Sequence, residues 1–402
     1  MHSCTLQIFT QPRNDESKEE SFSIELAEAP EWKIQVYSHP ESIRRLNIPE
    51  DVTRWLSGSW MAYQAESLPE NPTHLAVLEH ESGQRYYLAL QSFMFSVGGN
   101  IRQEQEGFNL LRWMSSSLKF KVLVMGQLLH SGPYASSPIA DKTDKDWGIL
   151  IDQLSKRLSK KWGCQAILIK DLATNDSKAA EYWTANAFYE LPVDPVMELP
   201  IREVWSTFDD YLMDLTSKYR VRYRRARKQA KGISKRRIRP AEVQKLSPKL
   251  DELFEAVRIT ADFDPIDPSP GYFADLQQAW GDYCRMEGYY FGDRLVGFTT
   301  ALYDKDCMHA HYLGFEQAIN KSHHIYHNML FDLIEQAIDW RVDKINFSRT
   351  ALEIKSSVGA EAVEYPVLLR ANSSIGNWLI RNFTSRVFQA QKWQARNPFR
   401  AS

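Results

Sequence analysis

One stretch of the chain leaves few folds open. From His309 to Gly359 it reads HAHYLGFEQAINKSHHIYHNMLFDLIEQAIDWRVDKINFSRTALEIKSSVG. Cys307 to Phe315 alternates as a strand does, which predicts His309, His311 and Leu313 on one face. In Ser322 to Arg341 the apolar residues Ile325, Met329, Leu330, Leu333, Ile334, Ala337 and Ile338 recur at three- and four-residue steps, which predicts a half-buried helix. Lys344 to Phe347 reads as a second strand, running into the polar cluster Ser348, Arg349, Thr350, Glu353 and Lys355. Strand, helix and strand with short joins form a right-handed βαβ unit, whose helix N-terminus suits an anion. Asn320 or Ser322 can cap that helix, and Lys321 adds charge for a phosphate. On these residues alone, a packing unit with a solvated polar loop fits as well.

Around this unit the pattern falls into two similar halves. Trp32 to Tyr37, Thr73 to Glu79 and Gln84 to Phe95 read as strands, the last two joined around Gly83. Ile48 to Ser57 opens on Pro-Glu-Asp, suited to a short helix. Leu118 to Leu129 becomes continuously apolar, as a strand buried on both faces requires. Asp144 to Trp162 is a helix with Ile149, Leu150, Leu154 and Leu158 inward; Gln165 to Lys170 and Met197 to Pro200 are short strands. In the second half Tyr289 to Tyr303 is a hairpin turning at Gly292-Asp293, a helix runs from Phe273 to Met286, and Val363 to Arg370 is a late strand. At 402 residues the chain has room for two well-filled cores. No repeat is visible residue by residue.

Charge is balanced overall, at 49 basic and 51 acidic residues, but unevenly placed. From Lys218 to Arg239 there are twelve Lys or Arg and no acid. Leu212, Leu215, Tyr219, Tyr223 and Ala226 fall on one helical face, so Asp209 to Gly232 reads as an amphipathic basic helix. Such density repels itself unless an anion or acids elsewhere offset it. An anionic membrane, the phosphates of an acyl carrier or coenzyme A, and RNA all fit. Trp378 to Phe399 mixes aromatics with Arg381, Arg386, Lys392 and Arg396; it suits docking on the domain or a membrane interface. The cysteines Cys4, Cys164, Cys284 and Cys307 are too scattered for a disulfide framework or zinc site, which fits a reducing cytoplasm. No run reaches the roughly 18 apolar residues of a membrane span, and the N-terminus lacks the order of a secretory leader. The expected location is cytoplasmic, with peripheral contact to an anionic membrane.

The His309–Gly359 block resembles the second half of GNAT-like acyltransferases of the FemAB-like type, in which two GNAT domains sit in tandem. The matching residues are His311 to Gly314, Lys321 to Leu330, and Asn346 to Lys355 followed by Gly359, with a second patch from Leu215 to Lys228. The first half matches in layout. Ser348 stands where that family often has glycine, and Gln317 to His324 lacks the glycine-rich pyrophosphate loop of single-domain GNAT enzymes. The resemblance implies an α/β fold with mixed sheets, as two tandem GNAT-like domains joined by the basic helix. The expected division is an N-terminal segment (1–30), a first domain (31–204), a second domain (205–373) and a basic aromatic C-terminal helix (374–402).

It also implies transfer of an acyl group from a thioester, on coenzyme A or an acyl carrier protein, to an amine, with no permanently bound cofactor and no metal. That chemistry needs a base, donors for the oxyanion and alignment of the reactants. His311, at mid-strand where such folds place the thioester, is the candidate base and His309 its alternate; a satisfied, half-buried ring is the other reading of each. Tyr326 is placed to protonate the departing thiolate, or simply to pack. Arg349 and Lys355 are candidates to clamp a carboxylate or phosphate, with Glu353 between them as substrate ligand or as their ion-pair partner. Asn320, Lys321, Ser322, Arg220 and Arg224 are assigned to the donor's phosphates. Asp262 and Asp264, with Asp267 in a proline-stiffened loop, are assigned to a cationic acceptor; the prolines forbid a calcium loop. No Gly-x-Ser-x-Gly elbow or Walker pattern occurs.

The expected acceptor is amphiphilic, such as a long-chain amine or sphingoid base. Two alternatives stand beside this: a FemAB-like transferase using aminoacyl-tRNA on a cell-wall precursor, for which tRNA is a partner, and a nucleic-acid-binding module on an inactive GNAT shell. The oligomeric state is not set by the sequence.

Overall fold

A computed structural model describes residues 20–68, 70–96, 119–137, 144–171, 177–259, 268–387 and 391–400. The first half contains β1 (Ser21–Ile24), β2 (Trp32–Tyr37), α1 (Pro40–Arg44), α2 (Gly58–Ser67), β3 (Thr73–His80), β4 (Arg85–Ser96), β5 (Lys119–Met125), α3 (Asp144–Lys161), β6 (Ala166–Lys170), α4 (Ser177–Ala185) and β7 (Tyr189–Glu190). The first half closes with β8 (Val196–Pro200), and the second continues through α5 (Phe208–Asp214), α6 (Ser217–Gln229), β9 (Ile233–Ile238), α7 (Pro240–Arg258), α8 (Tyr272–Trp280), β10 (Cys284–Phe291), β11 (Arg294–Asp304) and β12 (Cys307–Phe315). It ends with α9 (Gln317–His323), α10 (Ile325–Trp340), β13 (Lys344–Asn346), α11 (Leu352–Ser356), β14 (Glu361–Val363), β15 (Val367–Ala371) and α12 (Ser374–Val387).

Two mixed sheets result. The first runs β1-β2-β3-β4-β5-β6-β15-β7 and the second β14-β8-β13-β12-β11-β10-β9. Each contains one parallel pair, β5 with β6 and β12 with β13. The halves exchange strands: β8 pairs with β13 and β14 in the second sheet, while β15 pairs with β6 and β7 in the first. A third core joins the halves, setting Trp55, Trp60, Tyr63 and Leu129 against α7, α8 and β10–β12. Trp55 and Trp60 are fully buried there, and each such side chain contributes roughly 2–3 kcal/mol.

Several local expectations change, each for a physical reason. The basic helix breaks in two, because Leu215 turns to ψ 145°, bridges to Phe399, and Thr216 donates its amide to Pro398. The helix expected at Ser322–Arg341 is likewise two, α9 and α10, separated at His324, which adopts the left-handed φ of 50°. Asn320 and Ser322 therefore do not open it: Ser322 donates back to Ala318 O within α9, although Asn320 Oδ1 accepts from the Tyr326 amide. The helix expected to reach Met286 stops at Trp280, where Gly281 takes φ +56°, and Met286 lies in β10. Ile48 to Ser57 yields only a single 3₁₀ turn, Arg54–Leu56. On α3 it is Ile151, not Ile149, that is fully buried with Leu150, Leu154 and Leu158. The C-terminal tail docks: Phe399 packs on Trp205 and Tyr211, and Arg396 pairs with Glu353.

Candidate active site

β12 and β13 pair for only three residues, Cys307–His309 against Lys344–Asn346. Beyond His309, β12 runs on to Phe315 while the other chain turns away. That turn is built from non-glycine residues in the left-handed region, Ser348 (φ 61°), Thr350 (φ 71°) and Ala351 (φ 49°), each a conformation that costs on the order of 1–3 kcal/mol. Hydrogen bonds hold it, among them the Ser348 amide to Asn346 Oδ1 (2.7 Å) and Lys355 Nζ to Arg349 O (2.6 Å). The second sheet is thus split along one edge of β12.

A bulge in β12 decides what faces the split. Leu313 opposes Thr299 and Ala310 opposes Ala301, leaving His311 and Tyr312 both against Thr300. The Thr300 hydroxyl bonds the amide and carbonyl of Tyr312. His309 and His311 consequently face the first half, both on the Trp55 ring at 5.2 and 5.6 Å. Leu313 does not share their face; it packs with Ile325 and Met329 of α10 on the other side.

His309 Nε2 accepts from Trp55 Nε1 at 3.2 Å, and His311 Nε2 lies 2.5 Å from the Tyr272 hydroxyl. Burial pushes both imidazoles down to about 3, so both are neutral at any working pH. His130, against the same Trp55 ring at 4.4 Å, is also held well below its usual value by burial. Both its ring nitrogens lack a hydrogen-bond partner among the described residues, as do Tyr63 Oη and Trp280 Nε1, which border the Trp55–Trp60 pair. A buried polar group left unpaired is destabilising by about 1–3 kcal/mol, and native folds hold few of them. Four such atoms meeting in one seam mark a place built for polar contact.

Arg349 sits across this seam but is already engaged. Its guanidinium donates to Asp171 Oδ1 at 2.5 Å and to the carbonyls of Asp194 and Tyr365. Asp171, 1% exposed, also accepts from Lys170 Nζ and the Gly132 amide, so it is the hub that ties the halves. The ion-pair alternative for Arg349 is realised with Asp171 rather than Glu353, whose exposed carboxylate pairs with Arg396. Lys355 is buried and donates to the carbonyls of Ser348 and Arg349; burial lowers its ammonium to about 7. Asn346 and Ser348 reach over to Ser131 of the first half.

The basic helix lies on the other face of the second sheet. Between α6 and the start of α10 is a groove of about 390 Å³ lined by Tyr219, Arg222, Arg225, Gln229, His324, His327 and Phe331. Arg222 and Arg225, not the expected Arg220 and Arg224, line it. Arg220 is turned back to the carbonyls of Met213 and Leu215, where it caps α5. Lys321 is exposed on α9, and Tyr326, half-buried against Phe315, meets neither histidine. Asp262, Asp264 and Asp267 lie outside the described residues. A single groove joining the histidines, the arginines and Lys355 therefore does not form: there are two places, one on each face of the split. The residues that sequence reasoning missed are Trp55, His130, Asp171, Tyr272, His324 and His327. Only the histidine pair at the head of α10 had a visible signal.

Residues 217–356 match the family model described as Acetyltransferase (GNAT) domain. Among solved structures, FemX superposes with a TM-score of 0.53 over 86% of this chain and 98% of its own, at 10% identity. A tandem GNAT protein from the clavulanic acid biosynthesis pathway matches at TM-score 0.43 and 12% identity, over 79% of this chain and 88% of its own. L-PGS from Bacillus licheniformis matches at 0.44 and 8%, over 82% and 92%. No curated protein matches the sequence.

Proposed function

From the match of residues 217–356 to a GNAT acetyltransferase domain and the likeness of the fold to that of FemX, we propose an N-acyltransferase that works through the split in its second sheet. It moves an acyl group from a thioester of coenzyme A or an acyl carrier protein to an amine. The observation that carries the reading is the three-residue β12–β13 pairing, which leaves β12 beyond His309 open between a basic groove and a polar, aromatic seam.

In this reading the donor's phosphates lie against Arg222, Arg225, His324 and His327. The guanidiniums supply charge and the imidazoles supply donors, while Phe331 and Tyr219 cover the apolar part. The amine enters from the seam. Its nitrogen attacks the thioester carbonyl, the C–N bond forms as the C–S bond breaks, and the proton shed by nitrogen ends on the departing thiolate. His311 is too depressed to be a strong base by itself. The Tyr272 hydroxyl, held 2.5 Å from His311 Nε2, takes the amine proton on its oxygen and gives its own to the departing thiolate, while the neutral imidazole fixes the hydroxyl's orientation. His309, tied to Trp55, orients the seam. Arg349 and Lys355 hold the turn after β13 in its strained shape and do not meet the substrate. The aromatic lining suits an amphiphilic amine such as a sphingoid base or other long-chain amine.

Aminoacyl transfer from tRNA is a second reading, favoured by the exposed bases Arg224, Lys228, Lys231 and Arg237, for which no acidic partner is seen among the described residues. One experiment separates them. Thiol release and amide formation are followed together with acyl-coenzyme A and acyl-carrier donors against short- and long-chain amines, and aminoacyl-tRNA is run as a parallel donor. Amide formation from a thioester is expected. Transfer from aminoacyl-tRNA alone assigns the second reading, and no product from any donor overturns both.

A further inference from the structure

α12 presents an apolar stripe to solvent. Ile375, Trp378 and Leu379 are 75%, 58% and 41% exposed, and at spacings of three and four they share one helical face. They make a contiguous run of the kind that marks an interaction site, unlike scattered surface leucines. The helix is held rather than loose. Asn377 bonds the amide and carbonyl of Ala371 at the end of β15, and beyond α12 the tail is fastened by the Gln391 amide on Asp194 and by Phe399.

The charge around the stripe selects its partner. From Ser374 to Ser402 there is no Asp or Glu, while Arg381, Arg386, Lys392, Arg396 and Arg400 lie along the same segment. Of these, Arg396 is occupied by Glu353. A helix with a tryptophan and branched aliphatics on one side, in a segment whose own charges are all positive, matches a surface that is apolar beneath and anionic above. Among the described residues no helix is long and apolar enough to cross a membrane, so the contact would lie in the interface plane.

We propose that α12 docks the protein on anionic lipid bilayers. Ile375, Trp378 and Leu379 enter the boundary between headgroups and acyl chains, and Arg381 with the tail bases meets the lipid phosphates. This goes beyond the transferase reading and does not depend on it, because binding is read without turnover.

The test uses the full chain and flotation with phosphatidylcholine vesicles, with and without phosphatidylglycerol. Binding at least about tenfold stronger to the anionic vesicles is expected, weakening as salt is raised. Trp378→Glu with Leu379→Glu should lower that binding at least about tenfold. An unchanged thermal melt shows that the exposed positions were altered without unfolding, and Ile375→Ser is a milder second variant. Equal binding to both vesicle types, binding to neither, or binding indifferent to the substitutions overturns the proposal. A sedimentation shift to dimer that the double variant abolishes, with no vesicle binding, also overturns it and gives the face to a second copy.

Discussion

Acidification from pH 7.5 to 5.5 should weaken this fold, and the loss can be worked from three histidines. His74 is buried, bonded to Ser38 and stacked on Trp162, and burial lowers it to about 3. His309 and His311 are lowered to about 3 by the same cause. In the unfolded chain each returns to its ordinary value of 6.5. Below that pH the unfolded state takes up protons that the folded state refuses. Stability is therefore complete above 6.5 and is lost as pH falls toward 3. One pH unit below 6.5, each ring contributes a loss of about 1.4 kcal/mol, or about 4 kcal/mol for the three. His130 adds to the loss in the same direction. Stopping at pH 5.5 keeps the measurement above the ordinary range of the carboxylates. Urea unfolding followed by tryptophan fluorescence at pH 7.5, 6.5, 6.0 and 5.5 reads the effect as a falling midpoint. His74→Gln should remove about 1.4 kcal/mol of the fall, whatever it does to stability at pH 7.5. Midpoints that stay level from pH 7.5 to 5.5 would refute the buried, neutral imidazoles.

Other perturbations probe the frame around the site. Asp171→Ala leaves Arg349 and Lys170 without their shared carboxylate and should destabilise by about 3–5 kcal/mol; a urea unfolding free energy within about 0.5 kcal/mol of the parent would show that the hub is dispensable. Gly359→Ala drives a Cβ into the Phe399 ring at a φ of +103°, so the tail should lift and residues after 391 become cleavable by limited proteolysis; a protected tail counts against the docking described. Lys355, lowered to about 7 against 10.5 when unfolded, makes stability climb by about 2 kcal/mol between pH 7 and 9. Lys355→Met should flatten that climb, and an identical climb in the variant would place its origin elsewhere.

Much of the fold was legible where the chemistry is local. Gly292-Asp293 between two apolar runs marked the β10–β11 hairpin, the alternation of Cys307 to Phe315 gave β12 end to end, and the apolar spacing in Asp144 to Trp162 gave α3. What local pattern cannot carry is partnership. β8 and β15 look alike in sequence to strands of their own half, yet each pairs in the other sheet. The break between α5 and α6 is imposed by Phe399 and Pro398, far along the chain. The bulge that turns Leu313 away from His311 comes from the Thr300 hydroxyl on the neighbouring strand. In the candidate site, His309 and His311 stood out as strand histidines, whereas Trp55 and Tyr272, which hold them, are ordinary core aromatics until the halves come together.

The central claim is that donor and acceptor meet across one split, each served by its own face. Steady-state kinetics with the donor and amine identified by the thioester panel test it through two variants. Tyr272→Phe should lower kcat at least about tenfold with little change in donor KM, as loss of a proton relay does. Arg222→Ala with Arg225→Ala should raise donor KM several-fold and leave kcat near that of the parent. Full activity in both variants, or the two effects exchanged, would contradict the account.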